Sequence, residues 1–179
     1  LEQNIFNFRY ILVTSKTPVL DAAIELGAFQ TLLSLFPSLS PALQLSVLSS
    51  LSFLTSASTP YCVHFLTLAP LPLLFALIQS QDPQIVEQAL FIIGNLVSNS
   101  QQVHDHLIAH SLLPTLYTFL TESPQTTDTQ THAAYILSFV VRYGRVPWVT
   151  LAPFIDIFLQ CRPIPVHLIL ALAMLLEEK

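Results

Sequence analysis

Four segments of the chain share one arrangement, a run of apolar and small residues that ends in a polar turn. They are Phe8-Arg9-Tyr10-Ile11-Leu12, Val47-Leu48-Ser49-Ser50-Leu51-Ser52-Phe53-Leu54, Ala89-Leu90-Phe91-Ile92-Ile93-Gly94-Asn95-Leu96 and Ala133-Ala134-Tyr135-Ile136-Leu137-Ser138-Phe139-Val140. The equivalent positions Ile11, Phe53, Asn95 and Phe139 lie 42, 42 and 44 residues apart, and a fifth segment, Ala171-Leu172-Ala173-Met174-Leu175, follows after a shorter gap of 35. No stretch alternates apolar and polar residues for long, so the pattern predicts helices and no strands. Two shorter apolar stretches fall between successive long ones. The second of each pair starts at a small residue or a proline: Gly27-Ala28-Phe29, Ala69-Pro70-Leu71-Pro72, Ser111-Leu112-Leu113-Pro114 and Leu151-Ala152-Pro153-Phe154. Proline is tolerated in a first helical turn because its missing N–H would have no partner there. Glycine at position 27 suits a tight bend between two helices.

The long helices are expected to open after breaks at 38–41, 81–83, 128–130 and 162–165. Ser40 and Asp82 each precede a proline at a predicted first helical position, where an N-cap belongs. The thirteen prolines therefore punctuate helices and do not signal disorder. The Ser/Thr/Gln-rich stretch 122–131 reads as an exposed loop lengthening one repeat. A period of this length suits armadillo or HEAT units. The expected architecture is an all-α, right-handed solenoid (an α-α superhelix) forming a single domain over 1–179. Its approximate repeats are 1–37, 38–80, 81–122 and 123–160, with a partial fifth at 161–179.

Composition sharpens this picture. Hydrophobic residues make up 53% of the chain and charged residues 9%, where roughly a quarter is usual for charged residues. No charged side chain occurs in 26–81. Such a composition raises the question of a membrane span. The best candidate, 61–78, is cut by Pro70 and Pro72 and contains His64, and the run 164–176 falls short of the length required. No basic loops flank either one, so burial of both faces of many helices is the expected reason for the apolar excess.

A net charge of −5 with six Lys and Arg argues against a nucleic-acid partner. Cys62 and Cys161 show no metal or redox spacing and read as small buried hydrophobes. With three glycines there is no phosphate cradle, and no nucleophile motif is present. Neither catalytic residues nor a cofactor is expected. His104-Asp105-His106 with His110 is the one metal-like group, but it reads as a solvated helix end rather than a site. Arg142 and Arg145, flanking Tyr143 and Gly144, read as a solvated loop, with an acidic tail of a partner as the other reading. The chain begins at Leu1 and is expected to be a piece of a longer protein, or to have its apolar ends covered by a partner. No signal-peptide pattern is visible.

At the level of motifs the chain resembles the importin-α family in its first four armadillo repeats. Phe8-Arg9-Tyr10-Ile11-Leu12 followed by Thr17-Pro18-Val19-Leu20-Asp21 is similar to the family's first repeat. Glu87-Gln88-Ala89-Leu90-Phe91-Ile92-Ile93-Gly94-Asn95-Leu96 resembles its Glu-Gln-Ala-x-Trp-Ala-Leu-Gly-Asn-Ile signature, and 137–158, with Arg142-Tyr143-Gly144 and Pro147-Trp148, resembles its fourth repeat. The resemblance implies an adaptor that holds basic nuclear localisation signals in a concave groove. In that family a ladder of Trp sandwiches Lys and Arg stems, Asn pins the peptide backbone, and acidic neighbours fix the cations. It further implies residence in cytoplasm and nucleus, and an importin-β-type carrier bound through a segment absent from this sequence.

On this chain the ladder's Trp positions carry Ser49, Phe91 and Tyr135. Its Asn positions carry Phe53, Asn95 and Phe139, and Asn99 stands where an acidic residue is expected. These seven residues are the candidate groove, each with packing between repeats as the competing reading. Phe and Tyr attract cations less well than Trp, and each missing backbone anchor removes about 1 kcal/mol. The implied groove is aromatic and nearly neutral. The competing function is a structural armadillo scaffold in a larger assembly, without a transport role.

Overall fold

The computed structural model describes residues 2–14, 17–122, 125–144, 146–161, 164–167, 169–170 and 173. Among them the chain forms helices α1 (Glu2–Thr14), α2 (Thr17–Glu25), α3 (Ala28–Leu35), α4 (Pro41–Ala57), α5 (Thr59–Thr67), α6 (Leu71–Leu77), α7 (Pro83–Asn99), α8 (Gln101–Ala109), α9 (Leu112–Glu122), α10 (Thr127–Arg142) and α11 (Trp148–Gln160). The described residues contain no strand. Of the fifth long segment only Ala173 is described, so that expectation lies almost wholly outside the described residues, as does Arg145.

The long helices form a row. α1 packs on α4, α4 on α7 and α7 on α10, and these are the most extensive helix–helix contacts in the molecule. The paired short helices fold back behind the row and supply the large aromatic wedges of the core, Phe29, Phe65 and Phe119, with Phe158 of α11 doing the same. One hydrophobic cluster runs from Ile5 to Cys161. In α7 alone Ile92, Ile93 and Leu96 are fully buried, each contributing roughly 1.5–3 kcal/mol of transfer free energy.

The helix borders follow the punctuation in the sequence. Pro41 and Pro83 occupy first helical positions. Asp82 caps α7 by accepting from the Gln84 backbone N–H at 2.9 Å. Ser40 stands at the N-cap of α4 but its hydroxyl makes no capping bond, so the expected cap there is positional only. The 122–131 stretch is shorter as a loop than expected. Thr126 and Thr129 form a reciprocal capping box and α10 already begins at Thr127.

The bend between the two short helices recurs with one backbone geometry. Gly27 has φ +79°, Ala69 φ +51° and Ser111 φ +71°. Glycine enters this left-handed region freely, whereas alanine and serine do so under strain. The fourth bend is absent: α11 runs through Pro153 as one helix from Trp148 to Gln160, contrary to the expected break at 151–153. Proline there removes one helical hydrogen bond, to the carbonyl of Val149. Val149 is 77% exposed, so the lost bond falls on a surface turn and not in the core.

Among the described residues no single helix is long and apolar enough to cross a membrane, and the apolar stretch 61–78 is folded into α5 and α6, bent by 94°. Behind the row, Tyr61 of α5 donates its hydroxyl to the carboxylate of Asp21 on α2. Burial, with Asp21 adding to it, pushes the Tyr61 phenol up to about 12. Cys62 is buried, donates to the Thr55 carbonyl at 3.0 Å, and has its thiol pushed up by burial to about 11. Such a thiol is a packing group and a poor nucleophile.

Candidate functional site

Side chains on the long helices divide sharply by face. One face of α4, α7 and α10 is sealed in the core. The other carries Ser49 and Phe53 on α4, Phe91, Asn95 and Asn99 on α7, and Tyr135 and Phe139 on α10. Phe91 is 42% exposed, and the other six are partly buried. None of the four aromatic residues belongs to the fully buried core. Their spacing of four residues within a helix puts two of them on one stripe.

These side chains meet their neighbours across consecutive helices. The Ser49 hydroxyl reaches the Gln88 side-chain carbonyl on α7 at 3.5 Å, at the limit of a hydrogen bond. Phe91 meets the ring of His132 on α10 edge-on, with centroids 5.5 Å apart, and His132 Nε2 lies 3.8 Å from Glu87. Tyr135 and Phe139 pack edge to face at 5.0 Å. The Tyr135 ring lies over Gly94, where an added Cβ would come within 3.2 Å of its Cδ1. The glycine of the Gly94-Asn95 pair is thus a seat for the next helix's aromatic ring.

Asn95 is used differently from what the ladder implies. Its amide Nδ2 donates to the backbone carbonyl of Ser52 at 3.0 Å and, more weakly, to Thr55 Oγ1 at 3.4 Å. The amide clamps α7 to α4, which is the internal alternative to a bond with a bound peptide. Asn99 is the opposite case: its Oδ1 is buried and has no hydrogen-bond partner.

Two groups here, His132 and His167, do not stand out as site residues from sequence, and a third, Arg142, reads there as a solvated loop with contact to an acidic tail as the other reading. Arg142 is the last residue of α10 rather than part of a loop, and its guanidinium lies over the Phe139 ring, 5.7 Å from the centroid. His167 packs edge-on against Tyr135 at 5.0 Å. Tyr135, Phe139, Arg142, His167 and Leu170 line a pocket of about 420 Å³. Helical spacing was the available signal: 132, 135, 139 and 142 fall three and four apart, on one face of α10.

The histidine group lies elsewhere, on α8. The rings of His106 and His110 stack with centroids 4.1 Å apart, and His110 Nδ1 hydrogen-bonds the His106 carbonyl. Desolvation, then the neighbouring His110, lowers the pKa of His106. His104 is not solvated as expected. It is fully buried, 3.1 Å from Asp105 through Nδ1 and against the ring of Tyr143. Among the described residues no three His, Cys, Asp or Glu side chains converge.

No known protein-family profile matches the chain, and no curated protein sequence does. Solved structures do match in shape. A designed armadillo repeat protein, YIII(Dq.V1)4CPAF, in complex with the peptide (KR)4, superposes with a TM-score of 0.80 at 15% identity, covering 97% of this chain and 74% of that one. The designed armadillo repeat protein YIII(Dq)4CqI matches with a TM-score of 0.77 at 14% identity, over 98% of this chain and 74% of that one. Computationally designed armadillo repeat proteins for modular peptide recognition match with a TM-score of 0.75 at 14% identity, over 95% and 73%. Likeness at such low identity speaks to architecture, and the architecture of this chain is an armadillo-repeat solenoid.

Proposed function

We propose that this chain is an adaptor that holds an extended segment of a partner protein along the face of α4, α7 and α10. The observation that carries the reading is the aromatic stripe. Phe53, Phe91, Tyr135 and Phe139 stay at the surface in register on three consecutive helices whose opposite faces are sealed. Phe91 is 42% exposed, and the other three show part of their surface to solvent although Phe53 and Phe139 also pack on the core; a contiguous apolar surface of this kind marks an interaction site. The same architecture in a designed protein carries a (KR)4 peptide, and an extended ligand suits a row of parallel helices because each helix offers it the same small set of side chains.

The importin-α-like form of this role, import of cargo between cytoplasm and nucleus, requires affinity for Lys- and Arg-rich segments. The face has little negative charge to offer them. Glu87, 3.8 Å from His132 Nε2, is one carboxylate beside this face, and Asn99 stands where another would serve. The second reading, a structural subunit fixed in a larger assembly, draws on a separate feature. α11, which is not one of the three helices that carry the stripe, exposes Trp148 (55%) and Val149 (77%).

Fluorescence anisotropy decides among these. A labelled Lys/Arg-rich nuclear localisation peptide is titrated onto the chain and onto Phe91→Ala, beside a control peptide with its basic residues changed to Gln. Saturable binding of the basic peptide that Phe91→Ala weakens about tenfold, the equivalent of about 1.4 kcal/mol, supports the import adaptor. Binding of both peptides alike supports a groove without charge selection. A folded chain that binds neither peptide retires the import adaptor.

A further inference from the structure

The strongest unassigned feature is the pocket at the α10 end of the aromatic stripe. It joins three kinds of group. Tyr135 and Phe139 form an aromatic wall, with Leu170 adding apolar surface; the Ser138 hydroxyl, which donates to the Tyr135 carbonyl at 2.7 Å, keeps only an acceptor; and Arg142 and His167 bring nitrogen donors. At about 420 Å³ it falls within the size range of pockets that enclose a ligand group. The Phe139 ring lies beneath the Arg142 guanidinium, and this stacking orients the planar fork while leaving its N–H donors free. Among the described residues no carboxylate pairs with Arg142. No Lys or Arg occurs anywhere in 17–141, so this end of the stripe is its cationic end.

On the reading that the stripe holds an extended peptide, we infer that this pocket takes an apolar or aromatic side chain of the ligand with a carboxylate beside it. The carboxylate is the side chain of an Asp or Glu. The apolar group fills the space between Tyr135, Phe139 and Leu170. The carboxylate accepts from Arg142, a charge-assisted contact that a neutral amide cannot reproduce. A Lys or Arg at the same place meets a like charge. The ligand is therefore of mixed character, apolar along the stripe and acidic at its α10 end, unlike a uniformly basic peptide.

The test is selection from a phage-displayed library of random peptides of about ten residues, long enough when extended to cross about four helices. Selection is run on the whole chain and on Arg142→Gln. The expected outcome is enrichment of Asp or Glu next to Phe, Tyr, Trp or Leu. A synthetic peptide taken from that pool should bind about tenfold more weakly to Arg142→Gln, and to the wild-type chain when its acidic residue is changed to the amide. Arg142→Lys should retain part of the preference, which separates charge from packing on Phe139. Selected peptides without acidic enrichment, or equal affinity on Arg142→Gln, overturn the inference while leaving the peptide-binding stripe standing. Failure to select any peptide on a folded chain overturns the stripe itself and this inference with it.

Discussion

Asn95 offers the sharpest test of how the aromatic face is built. If its amide is a clamp between α7 and α4, removing it should weaken the fold before it weakens any ligand. Asn95→Ala deletes a bond of 3.0 Å to the Ser52 carbonyl and a weaker one of 3.4 Å to Thr55 Oγ1, together about 1.5 kcal/mol of net stabilisation. Thr55 is not orphaned by the change, because its hydroxyl still donates to the carbonyls of Leu51 at 2.9 Å and Ser52 at 3.1 Å. Alanine also gains about 0.5 kcal/mol of helix propensity over asparagine. The expected loss is about 1 kcal/mol, or a melting point lower by about 2–4 °C for a chain of this size.

Asn95→Asp should be worse than alanine. It points a carboxylate at the two oxygens that the amide now serves, and an unpaired, partly buried charge costs more than a missing bond. Urea denaturation followed by far-UV circular dichroism measures both variants. An aspartate variant as stable as wild type, with alanine within a few tenths of a kcal/mol of it, would refute the clamp and return Asn95 to the ligand.

Two further outcomes follow from the structure. Ala69→Gly should raise stability by about 0.5–1 kcal/mol, the relief of a left-handed alanine less the extra freedom of glycine in the unfolded chain; a lower melting temperature would mean that the φ of +51° is not a strain the fold carries. The second concerns alkaline pH. Cys62 and Tyr61 hold their protons more tightly folded than unfolded, at about 11 and about 12 against ordinary values of 9.0 and 10.0. Their contributions are therefore complete below pH 9.0 and are lost as pH rises through about 11 and then about 12. Tyr61→Phe should remove the upper part of that decline in a series of urea melts, and a decline identical in the variant would contradict it.

The helices were legible because their signals are local. Apolar runs with a 42-residue recurrence, prolines 41 and 83 at helix starts, and Asp82 before one of them are all read without knowing what packs where. The miss at 151–153 has the same origin. Proline in an apolar run looks alike at a first turn and inside a helix, and only the exposure of Val149 decides that the lost bond is tolerable. Likewise Ala69 and Ser111 carry no mark of the left-handed bend that Gly27 announces, since tertiary packing imposes it on them. At the aromatic face the sequence supplied the positions but not the partners. Asn95 reads as a polar residue that either a bound peptide or a neighbouring helix must satisfy, and only the Ser52 carbonyl of α4, 3.0 Å away, shows which partner it has in the folded chain. Arg142 reads as a loop charge until α10 is seen to extend to it and set it over Phe139.

The row of long helices also shapes how the molecule comes apart. α7 is gripped on both flanks, by α4 and by α10, and its face is stapled through Asn95 and through Gly94 beneath Tyr135. Opening at α1 breaks one interface in the row, whereas opening at α7 breaks the two most extensive ones. Protection against hydrogen exchange should therefore form a gradient that peaks in α7 and declines toward α1. A partner lying across α4, α7 and α10 would do more than occupy a surface: it would tie together neighbours that the chain itself joins only two at a time.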